Sequence, residues 1–95
     1  MPYCSTALKA DHAGDAINLI SLIATERFRA KEAYSLESGR WNIDAGENDV
    51  RAIYRNDDGL IKFFCRYESD IQPTEAKINN FAINHSDVCK AIEID

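Results

Sequence analysis

The chain has 95 residues, 45% of them apolar and 28% charged, and a formal net charge of −5. That length suits one domain over 1–95 with its own core, and the composition excludes a disordered or low-complexity chain. No run approaches the roughly 18 apolar residues of a membrane span, and Met1-Pro2-Tyr3-Cys4-Ser5 lacks the basic-then-apolar pattern of a secretory signal, so the expected compartment is the cytoplasm.

The charge is unevenly spread. Residues 1–40 hold five acids (Asp11, Asp15, Glu26, Glu32, Glu37) and five bases (Lys9, Arg27, Arg29, Lys31, Arg40). The remaining eleven acids and six bases lie in 41–95, with acids grouped at Asp44/Glu47/Asp49, Asp57/Asp58, Glu68/Asp70 and Glu93/Asp95. Four of those six bases fall within one stretch, Val50 to Tyr67.

In chain order, Ser5 is a candidate N-cap, and Leu8, His12, Ala16, Leu19 and Ile23 recur at helical steps. Gly14 interrupts them, so either one helix tolerates it or a short turn precedes a helix capped by Asp15. From Ala16 to about Ala33 a helix is predicted, and its apolar stripe (Ile17, Leu19, Ile20, Leu22, Ile23, Phe28) is wide enough to require extensive burial or a partner. Arg27, Arg29 and Lys31 gather at its negative end, which explains them without an anion site.

Gly39 permits a reversal, and Arg40-Trp41-Asn42-Ile43-Asp44 alternates as a short strand. Val50 to Tyr67 then reads as a β-hairpin. Asp58-Gly59 supplies the positive φ that a tight turn needs. A two-residue loop puts Tyr54 opposite Phe63; a loop of Asn56 to Gly59 puts Tyr54 opposite Ile61 and Ala52 opposite Phe63. Side chains alternate with period two, so both registers give the same core face: Val50, Ala52, Tyr54, Ile61, Phe63, Cys65 and Tyr67. The other face carries Arg51, Ile53, Arg55, Leu60, Lys62, Phe64 and Arg66. The commoner fate of such a face is that Ile53, Leu60 and Phe64 lie under a helix with the cationic stems at its edges. Its alternative use is anion binding, with Phe64 stacking on a base.

Pro73 sits where a first helical residue belongs, and Ile78, Phe81, Ala82, His85, Cys89 and Ile92 continue at helical spacing. Asn84-His85-Ser86-Asp87 is expected to break this helix, stopping one segment and capping another. The predicted fold is therefore α+β: an N-terminal helix, a three-stranded antiparallel meander of about 40–44, 50–55 and 60–67, and a C-terminal helix broken near 84–86.

Chemistry-bearing patterns are weak. Cys4, Cys65 and Cys89 are widely spaced, with no Cys-x-x-Cys pair, and read as reduced thiols with Cys65 and Cys89 buried. His85 and Cys89, four apart, would share a helix face, but Asp87 would point elsewhere, so no cysteine hydrolase is expected. His12 with Asp11 and Asp15 offers too few ligands for a cation, and Asp44/Glu47/Asp49 lacks the alternation of a calcium loop. No phosphate loop, nucleophile elbow or carboxylate pair of a glycosidase occurs. The chain is expected to be no enzyme and to need no cofactor or metal.

The leading functional expectation is a small acidic protein-binding inhibitor. Asp44, Glu47, Asp49, Asp57, Asp58, Glu68 and Asp70 would meet a basic, nucleic-acid-binding surface of a partner protein. Immunity proteins, antitoxins and phage-encoded inhibitors share this profile of size and charge, an analogy that no motif supports. The alternative is a nucleic-acid or anion binder using Arg51, Arg55, Lys62, Phe64 and Arg66. Self-association through the wide helix stripe or the strand at 40–44, giving a homodimer, is compatible with either.

Overall fold

A computed structural model describes residues 3–28, 34–35, 40–44, 50–54 and 58–94, with backbone alone at 34, 35, 40, 42 and 44. The first element is a strand, β1 (Thr6–Ala10), where the sequence predicted the start of a helix. β1 lies between two other strands, and both Ala7 and Leu8 are fully buried. With side chains of both faces buried at these positions, the period-two alternation that would have announced a strand disappears. Two alanines with high helix propensity are here overridden by pairing on both sides.

A 3-10 turn at Ala13–Asp15 leads into α1 (Ala16–Arg27), so Gly14 belongs to the turn. Asp15 occupies the N-cap position but makes no side-chain capping bond. The part of the predicted helix beyond Phe28 lies outside the described residues. Four strands come next: β2 (Tyr34–Ser35), β3 (Arg40–Asp44), β4 (Val50–Tyr54) and β5 (Leu60–Phe64). A second 3-10 turn at Glu68–Asp70 introduces α2 (Ile71–Asn84), with Pro73 as its third residue, where a missing N–H still costs no helical bond. The helix stops at Asn84 as predicted. Beyond it the chain forms no second helix but a turn and a sixth strand, β6 (Cys89–Glu93).

Among the described residues the sheet runs β2-β3-β4-β5-β1-β6, with every neighbouring pair antiparallel. The α+β class stands, while the three-stranded meander is enlarged by a strand before the first helix, the two-residue β2 after it and another strand after the second helix. Setting β2 and β3 aside, the chain alternates β-α-β-β-α-β with β1 and β5 at the centre, the split β-α-β arrangement. This topology hosts many unrelated activities and argues for none of them.

Both helices pack on one face of the sheet. Leu19, Ile20, Ile23 and Ala24 of α1 and Ile78, Phe81 and Ala82 of α2 share a core with Leu8, Val50, Ala52, Tyr54, Ile61, Phe63 and Cys65. The core face predicted for the hairpin is thus observed up to Cys65. Tyr67 leaves it, 49% exposed, because β5 ends at Phe64 and the chain turns away. Tyr54 keeps its hydroxyl satisfied by donating to the carbonyl of Ala13 at 3.0 Å. Ile17 and Leu22 face outward on α1, so the wide stripe is only partly buried.

Of the two hairpin registers, Tyr54 opposite Ile61 and Ala52 opposite Phe63 is adopted. The Asp58 carboxylate accepts from the Leu60 N–H at 2.9 Å, and Gly59 takes φ 71°. A Cβ on Gly59 would lie 3.2 Å from the Ala10 carbonyl oxygen and 3.3 Å from the Ala13 Cα. Gly59→Ala is therefore expected to destabilise by about 1–2 kcal/mol, lowering Tm by roughly 10 °C. Thermal unfolding followed by circular dichroism reads this; an unchanged Tm would mean that the turn relaxes without strain.

Candidate nucleic-acid interface

The other face of the sheet has no helix over it among the described residues. This corrects the expectation that Ile53, Leu60 and Phe64 lie beneath one: all three are half-buried and none joins the core, while Lys62 between Leu60 and Phe64 is exposed. The reason is topological. In the split β-α-β arrangement both crossovers lie on the same side, so neither described helix covers the hairpin's second face.

The ladder shows what stands on that face. Lys9 is opposite Leu60 on one side and opposite Lys90 on the other. Ala7 is opposite Ile92, Arg51 opposite Phe64, and Ile53 opposite Lys62. Residues directly opposite in an antiparallel pair share a face. Four cations (Lys9, Arg51, Lys62, Lys90) thus stand among Ile53, Leu60, Phe64 and Ile92, and at the described side chains of these paired positions there is no acid. Tyr3, 50% exposed, pairs with Phe64 in an isolated bridge and packs against it edge-on, ring centroids 5.4 Å apart. Just past β5, exposed Arg66 lies over the ring of Tyr67 at 5.5 Å.

Two features of this face are costly for a purely structural surface. Lys9 and Lys90 sit directly across from each other, a like-charge pairing that destabilises a sheet unless an anion or acceptor intervenes. Lys9 finds one acceptor, the carbonyl of Asp58. Tyr3 and Phe64 hold aromatic surface at the water boundary instead of in the core, where burial is worth most.

Of the residues proposed for anion binding, Arg51, Lys62 and Phe64 are brought together on adjacent strands, Arg66 continues the same edge of β5, and Arg55 lies outside the described residues. Lys9, Lys90 and Ile92 were missed because their segments read as helical, and Tyr3 because it lay ahead of the expected N-cap at Ser5. The available signal was Val88-Cys89-Lys90-Ala91-Ile92, rich in β-branched residues and placed after a helix stop.

The acidic set fares differently. Glu47, Asp49 and Asp57 are outside the described residues, and for Asp44 only the backbone is described. Asp58 is exposed before β5, while exposed Glu68 and half-buried Asp70 come after it. A five-residue strand is roughly 16 Å long, so these acids flank opposite ends of the sheet and form no single patch.

The other candidates resolve into structural roles. His85 ends α2 and its Nε2 meets Glu26 Oε1 of α1 at 2.9 Å, with its ring against Phe81. Cys89 is on β6, not on a helix face with His85, and its thiol donates to the His85 carbonyl at 3.4 Å. Burial pushes the Cys89 thiol up to about 11, aided by Asp11 and Asp87, the reverse of what a nucleophile requires. Among the described residues no group of three or more His, Cys, Asp or Glu side chains is placed to hold a metal ion, and no helix is long and apolar enough to cross a membrane.

Comparison with protein-family models, with curated proteins and with solved structures finds no match for this chain.

Proposed function

We propose, from the geometry alone, that the protein is a non-enzymatic binding module whose open sheet face takes single-stranded nucleic acid. One observation carries this reading: in a chain of net charge −5, the face that no described helix covers bears Lys9, Arg51, Lys62 and Lys90 around the half-buried Phe64 and exposed Tyr3. Cations would hold phosphates while Phe64 and Tyr3 offer ring surface to bases, a combination suited to unpaired strands and largely indifferent to sequence. The net negative charge does not decide the matter. Asp58 and Glu68 lie beyond the two ends of β5, four and six residues along the chain from Lys62, so neither stands among the cations of β5 itself, although Lys9 reaches the Asp58 carbonyl. The same cations disfavour stacking two copies face to face, which would bring like charges together in a buried interface.

The test is binding of a fluorescent single-stranded oligonucleotide by the whole chain over a salt series. Four phosphate contacts predict a log–log slope near −3, or about fiftyfold weaker binding at 200 mM than at 50 mM salt. Absence of binding at 50 mM salt would remove the reading.

A second reading, the acidic inhibitor, is favoured by the exposure of Asp58 and Glu68 together with the net charge. It predicts that a pull-down recovers a discrete basic protein, lost at ~0.5 M salt where the screening length shrinks severalfold. Co-purifying nucleic acid instead would favour the open face.

A further inference from the structure

Directly beneath the aromatic pair lies a pair of thiols that the nucleic-acid reading does not use. Cys4 precedes β1 and Cys65 comes just after β5, sixty-one residues apart in sequence, yet their Sγ atoms are 3.9 Å apart. Both are free and buried, at 2% and 0% exposure. The backbone around them is held in place: Cys4 N–H donates to the Phe63 carbonyl at 2.9 Å, and Ser5 N–H and hydroxyl both donate to Glu75 Oε2 at 2.7 Å. Two sulfurs in van der Waals contact, just outside paired strands and with the Cys4 N–H tied to the Phe63 carbonyl, need only a short movement to reach the roughly 2.0 Å bond length of a disulfide.

We propose that Cys4 and Cys65 form a redox-active dithiol, closed to an intramolecular disulfide by hydrogen peroxide and reopened by thiols. In the first step the Cys65 thiolate attacks one peroxide oxygen, the O–O bond breaks, and hydroxide leaves as Cys65 becomes a sulfenic acid. In the second, the Cys4 sulfur attacks the Cys65 sulfur, the S–O bond breaks, and the departing hydroxide takes the Cys4 proton to form water. Two thiols thereby lose two electrons and two protons, and one peroxide becomes two waters.

The surroundings assign the two roles. The Cys4 hydrogen bond and the Thr74 hydroxyl favour the thiolate at Cys65, lowering it to about 7 against the opposing effect of burial. Cys65 as a thiol donates to Thr74 Oγ1 at 3.4 Å, and on ionisation that hydroxyl turns to donate instead. Cys4, buried and in contact with Cys65, is pushed up and stays protonated until the second step. Cys89, with its raised thiol bonded to a carbonyl, has no second sulfur within bonding reach and serves as an internal control.

The experiment incubates the whole folded chain with hydrogen peroxide for several hours, removes the oxidant with catalase, then unfolds and alkylates the protein for intact and peptide mass analysis. Expected is one alkyl group per chain in place of three, a Cys4–Cys65 linked peptide about 2 Da lighter than its two thiol halves, and recovery of all three labels after dithiothreitol. Cys65→Ser should abolish the link and take two labels, whereas Cys89→Ser should keep it. Three labels after peroxide, or oxygen added to single cysteines without a link, would overturn the proposal and leave the pair as ordinary packing.

Discussion

Replacing Phe64 by alanine is expected to weaken oligonucleotide binding by roughly ten- to a hundredfold, the loss of one base stacked on an aromatic ring, while the protein stays folded. Phe64 is half-buried and stands on the open face of β5, touching Tyr3 but absent from the core, so its removal should cost only about 1 kcal/mol of stability. Lys62→Glu, two residues earlier on the same face, should also weaken binding and lower the magnitude of the salt slope by about one or more, since it removes a phosphate contact and adds a repulsive charge. Titration of each variant with the same oligonucleotide decides the point. Wild-type affinity in Phe64→Ala would show that no base stacks there and would sink the proposed face.

Its neighbour in the chain should behave in the opposite way. Phe63→Ala is expected to destabilise the fold by about 3–5 kcal/mol, a large share of the roughly 5–14 kcal/mol typical of this length. Phe63 is fully buried, opposite Ala52 in the ladder and packed in the cluster that α1 and α2 close. Truncating it removes most of a ring and leaves a cavity between sheet and helices that neither can collapse without losing other contacts. The expected fall in Tm is on the order of 20 °C, read by thermal denaturation, with a matching drop in urea midpoint at unchanged m-value. A loss below about 1 kcal/mol would mean that β5 presents the other face to the helices, because a one-residue slip exchanges Phe63 with Phe64.

These two adjacent phenylalanines mark how far the sequence could be read. Period-two alternation placed Phe63 and Phe64 on opposite faces whichever turn formed, and the positive φ at Gly59 was required by Asp58-Gly59 itself. Alternation alone did not say which face the helices cover in full. It assigned Val50, Ala52, Tyr54, Ile61, Phe63 and Cys65 to the core, as observed, but left Ile53, Leu60 and Phe64 expected under a second layer that the described structure lacks.

The helices were visible where their apolar spacing is uninterrupted, in 16–27 and 71–84, because each buries a single stripe against one surface. The terminal strands were not. In β1, Ala7 and Leu8 are both buried, and in β6, Cys89 and Ala91 combine with Lys90 and Ile92 into a pattern that fits helix and strand alike. Half of the candidate interface, Lys9 and Lys90 included, rides on those two strands and was hidden with them.

The sequence by itself determined local features: the α+β class, two helices, one hairpin, the alternation of its faces and the separation of loop acids from hairpin cations. Each rests on the geometry of neighbouring residues. Tertiary structure alone decided that β1 and β6 join the hairpin, that both helices take one side, and that Cys4 meets Cys65 across sixty-one residues. Those outcomes depend on pairing between distant segments, where hydrogen bonding and burial across the sheet outweigh the propensity of any one stretch of chain.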